Sequence, residues 1–289
     1  YGRALDVLGD SVEHDPGAYA GLLDQGLAQI GWDDLQKTLA ERRANGEMVG
    51  AGISMFFEKS GLGPSDGAKI FVDNEGFIEV VTGGASIGQG FETAMAQIAA
   101  EDLGTDYRRI RVVHGQTNRI DYGVGAHASR ATVLTGTAVS LTAQAVRAKA
   151  LDMAAELLQT TADSLTITDG VVHAKDNPTG PSLTLGEIAE ALIPTSKLRG
   201  DREPYLKGEE WFHIDHQTYP YGHHIAVVKV DPDTGSVEIE KYFIAYDIGR
   251  SINPMMIEGQ LVGGLAQGVG GALFEEFTYS EAGDPMAVT

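Results

Sequence analysis

Gly83-Gly84-Ala85-Ser86-Ile87-Gly88-Gln89-Gly90, followed by Phe91-Glu92-Thr93-Ala94-Met95-Ala96-Gln97-Ile98-Ala99-Ala100-Glu101-Asp102-Leu103-Gly104, reads as a strand end, a glycine-rich turn and a helix. The run before it, Phe77-Ile78-Glu79-Val80-Val81, has the β-branched and aromatic composition of a strand. After it, Phe91, Met95, Ile98 and Leu103 recur at helical spacing, and Gly104 stands where a C-cap glycine belongs. A turn of this kind presents unpaired helix N–H groups and the positive end of the helix dipole. Glycines let a ligand approach the backbone closely, which suits an anion such as a phosphate. Gln89 adds a side-chain amide that both donates and accepts. A tight strand-to-helix turn with no ligand has the same local sequence.

Three motifs nearly match. Gly88-Gln89-Gly90 begins a dinucleotide fingerprint but lacks its third glycine, and Gln89 stands where a phosphate-binding loop of the Walker type needs lysine. Gly84-Ala85-Ser86-Ile87-Gly88 satisfies G-x-S-x-G, so a serine hydrolase with Ser86 as nucleophile and a later acid and imidazole, for example Asp215 and His224, is an alternative. Against it, Gly88-Gln89-Gly90 separates the serine from the helix.

Working outward, residues 18–48 read as two helices, one through Leu22, Leu23, Leu27 and Ile30, the next starting at Trp32. Val49–Phe57 reads as a strand. Ala68–Val72 and Phe77–Val81 form a hairpin about Asp73-Asn74-Glu75-Gly76. A second glycine-rich loop, Tyr122-Gly123-Val124-Gly125-Ala126-His127-Ala128-Ser129-Arg130-Ala131-Thr132, enters a long helix through Leu134, Val139, Val146 and Leu157. Ser129 is its expected cap, with Arg130 and Thr132 at the positive end. Two further hairpins turn at Asp169-Gly170 and Asp231–Gly235, with a short helix over Leu185–Leu192 and a linker over Ile193–Gly208 between them. Asp247–Asn253 then leads into a third helix with Asn253 as N-cap and Pro254 at N1. Hairpin, polar glycine loop and helix thus occur twice, which predicts a mixed α+β fold of two related subdomains with mixed and antiparallel sheets. The expected division is a helical segment over 1–48, a first subdomain over 49–200 and a second over 201–289.

The third helix carries Gly259, Gly263, Gly264, Gly268, Gly270 and Gly271, which predicts close packing against backbone or ligand. Gln260 and Gln267 share one of its faces and rule out a membrane span. His213, Asp215 and His216 with His223 and His224 gather metal-ligating types, but no helical spacing puts them on one face, so no metal site is assigned.

With 289 residues, 21 basic and 41 acidic, the chain carries a formal charge of −20, which argues against nucleic-acid and anionic-membrane surfaces. The absence of cysteine removes disulfides, iron–sulfur ligation and thiolate catalysis from this chain. No apolar leader follows Tyr1, and both ends read as cut, which predicts a fragment or a subunit whose partner supplies the rest.

Gly88–Ala94, the loop from Tyr122-Gly123-Val124-Gly125 to Ser129-Arg130-Ala131-Thr132, and Asp247-Ile248-Gly249 through Ile252-Asn253-Pro254, with Glu258-Gly259-Gln260 and Gly264-Leu265-Ala266-Gln267-Gly268, resemble the molybdenum hydroxylases. This is the xanthine oxidase family, and the likeness is to molybdopterin-binding large subunits of the aerobic carbon monoxide dehydrogenase type, with the motifs in family order across nearly the whole chain. The resemblance implies a molybdenum–pyranopterin, in bacteria often molybdopterin cytosine dinucleotide. It further implies oxidative hydroxylation of a small substrate (carbon monoxide, an aldehyde or an N-heterocycle) with oxygen from water. Electrons would pass to a 2Fe-2S subunit and an FAD flavin subunit in a cytoplasmic complex, with no nucleic acid and no membrane insertion. It places Gly88, Gln89, Gly90, Phe91 and Thr93 at the pterin, Ser129, Arg130, Ala131 and Thr132 at the pterin or its phosphates, and Gln260 on the nucleotide side. The family's Gly-Gly-x-Phe-Gly segment and its arginine–glycine loop are missing. Its catalytic glutamate, in Gly-Val-Gly-Glu, is expected beyond Thr289. The chain alone is therefore expected to be an inactive, cofactor-binding part of a large subunit; a non-catalytic scaffold is the remaining alternative.

Overall fold

The computed structural model describes residues 5–6, 11–12 and 17–286. In chain order its elements are β1 (Leu5–Asp6), β2 (Ser11–Val12), α1 (Tyr19–Ile30), α2 (Trp32–Ala44), β3 (Met48–Phe57), β4 (Ser65–Val72), β5 (Ile78–Thr82), α3 (Phe91–Leu103) and β6 (Ile110–Val113). There follow a π-helical stretch over Ala131–Gly136, α4 (Thr137–Leu157), β7 (Leu165–Thr168), β8 (Val171–Ala174), β9 (Asn177–Thr184), α5 (Leu185–Ala191), β10 (Leu206–His213), β11 (Tyr221–Val230), β12 (Val237–Asp247) and α6 (Pro254–Leu273). The elements gather into two units, Tyr1–Asp15 with Lys59–Tyr219, and Pro16–Glu58 with Pro220–Thr289.

The first unit is a four-stranded sheet in the order β10-β4-β5-β6 beside a three-stranded sheet β7-β8-β9. The β4–β5 hairpin forms as expected because Asp73 Oδ1 accepts the N–H groups of Glu75 and Phe77, at 2.9 and 2.8 Å, and closes the turn. α3 is the crossover that makes β5 and β6 parallel. Inward positions of β4 and β5 (Ala68, Ile70, Val72, Ile78, Val80) pack with Met95, Ala99 and Leu103 of α3 and with Ala138, Val139, Val146, Ala150 and Met153 of α4. Small residues along α4 let it approach the sheet closely; each fully buried Leu, Ile or Met adds roughly 1.5–3 kcal/mol.

In the second unit the sheet order is β12-β11-β3, all antiparallel. α2 and the sheet bury Leu39, Val49 and Val227 together, with Leu35 and Ala51 packed against them. α1 carries Gly26 against buried His223: a Cβ there would stand 2.1 Å from the imidazole Nε2. Arg42 ties α2 to the sheet by pairing with Glu47 at 2.8 Å and Glu240 at 2.6 Å.

The units cut across the spans expected at 1–48, 49–200 and 201–289. β3 pairs with β11 along its whole length, so residues 48–57 belong with the C-terminal strands. β10 pairs with β4 from Leu206 to His213, so the stretch read as a linker already enters the first sheet, with Leu206 fully buried. The glycine-rich helix also departs from expectation. Among the described residues, a Cβ added at Gly259, Gly263, Gly264, Gly268 or Gly271 would meet nothing within 4 Å. No helix is long and apolar enough to cross a membrane, among the residues described.

Candidate functional site

The two glycine-rich loops of the first unit touch backbone to backbone. A Cβ on Gly83 would lie 2.5 Å from the Tyr122 carbonyl oxygen and 2.7 Å from Gly123 Cα, and one on Gly123 would lie 2.5 Å from Gly83 Cα. Gly125 N–H donates to the Gly83 carbonyl at 3.2 Å. Only glycine permits this approach on both sides, which explains why the loops are glycine-rich at those positions.

In the first loop Gln89 folds back on its own turn: its Oε1 accepts from Ile87 N–H at 2.7 Å and its Nε2 donates to the Ala85 carbonyl at 3.1 Å. One amide hydrogen and one lone pair stay available to a ligand. Gly88 faces open space, and Gly90, in the left-handed region with φ of 78°, caps α3. Phe91 does not line the loop: its side chain is 2% exposed and fills the space over Gly84, so a ligand would meet only its backbone. Thr93 is half-buried in the first turn of α3. Glu92, beside it, bonds His114 Nε2 at 2.9 Å. The His114 hydrogen bond, its own backbone N–H and the Ser86 hydroxyl hold its carboxyl below the ordinary range. A carboxylate therefore already sits at the positive tip of α3, which disfavours a phosphate at that tip.

In the second loop the entry into the helix differs from the plain cap expected. Ser129 makes no capping bond; Arg130 is the N-cap of a π-helical turn that passes into α4. Ala128 and Ser129 both adopt left-handed backbone, φ 48° and 52°, an uncommon and strained choice for non-glycine residues. Their anchors are the bond from Gly61 N–H to the Ser129 carbonyl (3.2 Å) and the burial of the next residue. Arg130 is fully buried rather than presented to a ligand. Its guanidinium donates to the carbonyls of Leu62 (3.1 Å), Ser65 (2.8 Å) and Gly125 (3.4 Å) and to Asp66 Oδ2 (3.2 Å). The guanidinium expected at the pterin or its phosphates is thus turned into the protein behind the loop. Ser129 and Thr132 are exposed and Ala131 is half-buried, so their hydroxyls and the local N–H groups are what this turn offers.

Asp66 escaped the sequence reading. It is fully buried on β4 and also accepts from Thr135 Oγ1 at 2.5 Å. The signal was present: Asp66 shares the inward register of Ala68, Ile70 and Val72, and an acid at a core-facing strand position needs a buried partner.

Gln260 lies exposed on α6 in the second unit. There Asn253 Oδ1 caps the helix by accepting from Met256 N–H at 3.1 Å, as expected. Asp247, at the loop before α6, accepts from Gly249 N–H (3.0 Å) and the Tyr221 hydroxyl (2.7 Å), and these bonds keep its carboxyl below the usual range.

Neither rival chemistry assembles. Ser86 is bonded to the Glu92 carboxylate rather than to an imidazole, and Asp215 pairs at 2.5 Å with the exposed His216 beside it, so no Ser86–His224–Asp215 relay is formed. His223 is buried against Gly26 while His224 bonds Tyr242 at 2.9 Å, because consecutive strand residues point to opposite faces. Among the described residues no group of three or more His, Cys, Asp or Glu could hold a metal ion.

A family model described as a molybdopterin cofactor-binding domain matches residues 25–289. Subunit gamma of the 6-hydroxypseudooxynicotine dehydrogenase complex of Paenarthrobacter nicotinovorans is 36% identical over 285 residues, covering 99% of this chain and 36% of that protein. The carbon monoxide dehydrogenase large chain of Afipia carboxidovorans is 32% identical over 296 residues, covering 96% of this chain and 36% of that one. The crystal structure of a Cu,Mo-CO dehydrogenase in its carbon monoxide reduced state superposes with a TM-score of 0.85 at 31% identity, over 96% of this chain and 36% of that chain. Quinoline 2-oxidoreductase from Pseudomonas putida 86 gives 0.84 at 30%, over 96% and 37%. The chain therefore spans about a third of the length of these relatives. With its paired glycine loops, its α+β fold and a match over most of its length, the chain belongs to the molybdopterin cofactor-binding domain family.

Proposed function

We propose that this chain is the cofactor-holding part of a molybdenum hydroxylase large subunit, with the two loops of the first unit forming the cradle. One observation supports the reading: Gly83 and Gly123 bring the loop that carries Gln89 and the loop that leads into the 129–132 turn into backbone contact. Gln89, with its remaining N–H and lone pair, and the backbone at Gly88, Gly90 and Phe91 would hold the polar edge of the pterin. Ser129 and Thr132, with the N–H groups that open the π-helical turn, would take its phosphates. Ala131 contributes its backbone, Thr93 a hydroxyl near the first loop, and Gln260 would serve the nucleotide side. Arg130 fixes the turn from behind.

When bound, the molybdenum cofactor supplies the redox centre for hydroxylating a substrate carbon with oxygen from water. Relatives whose names refer to carbon monoxide, nicotine and hypoxanthine support a small-molecule substrate. The cytosine dinucleotide form, a 2Fe-2S and an FAD partner subunit, and a cytoplasmic location complete the proposal; a chain without cysteine needs its iron–sulfur relay elsewhere. Acid release and oxidation of the pterin from the complete enzyme complex tests the reading. Pterin fluorescence with one equivalent of CMP after hydrolysis is the expected result; no fluorescent pterin would refute it.

A further inference from the structure

Asp66 occupies a position where a strand ordinarily carries an apolar side chain, and it is fully buried there. A carboxylate survives burial only with its charge paired and its lone pairs occupied. Its partners come from every part of the cradle. Oδ1 accepts from Gly67 N–H at 2.9 Å on its own strand. Oδ2 accepts from Thr135 Oγ1 at 2.5 Å in the π-helical turn and from Arg130 Nη1 at 3.2 Å at the end of the second loop. The first loop is in contact too: a Cβ on Gly83 would lie 2.8 Å from Oδ1, and one on Gly84 would lie 3.2 Å from Thr135 Oγ1.

We infer that Asp66 and Thr135 are positioning residues of the cofactor cradle: one buried anion sets the register of both loops without touching the ligand. The inference rests on the cofactor reading above. Arg130 follows directly on the left-handed pair Ala128–Ser129, so the bonds that hold its guanidinium inside also hold that strained turn in place. Loosening the Asp66 cluster lets the 128–132 backbone relax toward ordinary angles, and the groups offered to the phosphates then move. A merely structural cluster would change the unfolding temperature while leaving the grip of each folded molecule unchanged.

The test uses the complete enzyme complex and follows first-order release of pterin, read as fluorescence in the filtrate, at a temperature where circular dichroism shows every variant folded. Thr135→Val keeps the shape and the Arg130–Asp66 pair but removes one bond to the carboxylate. About tenfold faster release is expected, the equivalent of one charge-assisted hydrogen bond. Thr135→Ser restores the hydroxyl and is expected to return the parental rate. Asp66→Asn is expected to release faster than Thr135→Val; if it does not accumulate, the Thr135 pair still decides. Parental release from Thr135→Val, or failure of Thr135→Ser to rescue it, overturns the positioning role while leaving the cofactor reading intact. A parental complex that yields no pterin on acid release overturns that reading, and the positioning role with it.

Discussion

Gly83→Ala tests the contact on which the cradle depends. Gly83 has an ordinary negative φ, so alanine carries no conformational penalty there and would by itself stabilise the fold by roughly 0.4–1 kcal/mol through the unfolded state. The new methyl would, however, stand 2.5 Å from the Tyr122 carbonyl oxygen, 2.7 Å from Gly123 Cα and 2.8 Å from Asp66 Oδ1. Two of these neighbours are backbone and the third is a buried, fully bonded carboxylate, so none retreats without cost. An ordinary contact begins near 3.4 Å, which requires the loops to part by about 0.9 Å. Overpacking of this kind costs roughly 1–3 kcal/mol, so the net expectation is a loss of about 1–2 kcal/mol with an unchanged denaturant slope. Urea denaturation followed by circular dichroism measures the first effect, and pterin content of the complex measures the displacement of the cradle. Gly52→Ala in β3, where a Cβ meets nothing within 4 Å, serves as the control and is expected to cost nothing. A Gly83→Ala variant as stable as the parent and with full pterin content would refute the backbone contact between the loops.

Glu92→Gln removes a carboxylate whose pKa is lowered chiefly by His114. The stabilisation is present above the unfolded pKa and disappears as pH falls through the lowered folded value. The variant should lose a few tenths of a kcal/mol at pH 7, discounted for the exposure of the pair, and nothing near pH 3, as read by denaturation midpoints across pH. Gly26→Ala drives a methyl to 2.1 Å from buried His223 and should cost roughly 1–3 kcal/mol in the transition of the second unit; an unchanged midpoint would contradict the packing of α1. Gly264→Ala on α6, by contrast, meets nothing and should stabilise the isolated chain by about 0.5–1 kcal/mol with a small gain in helicity.

Much of the fold was legible because the punctuation is strong. Asp73–Gly76, Asp169-Gly170 and Asp231–Gly235 are turns whose side chains and left-handed residues close them locally, and Asn253-Pro254 caps α6 with no tertiary help. Gly104 ends α3 at φ 74° for the same reason. What depends on distant partners was not legible. β10 lies inside a polar stretch and pairs with β4 more than a hundred residues away in sequence, and β3 groups with the C-terminal strands only through its distant partner β11. Arg130 shows the same limit at the site: a guanidinium beside a helix start reads as an anion ligand, and only the buried Asp66 reveals that its charge is already answered. The glycines of α6 read as a packing surface by composition alone, whereas most of them face open space.

Hydrogen–deuterium exchange of the complex, with and without its cofactor, tests the central claim most directly. The amides of residues 87–90 and 129–132 should slow together when the cofactor is bound, because both loops close on one ligand. Protection confined to one loop, or found in neither, would contradict a shared cradle.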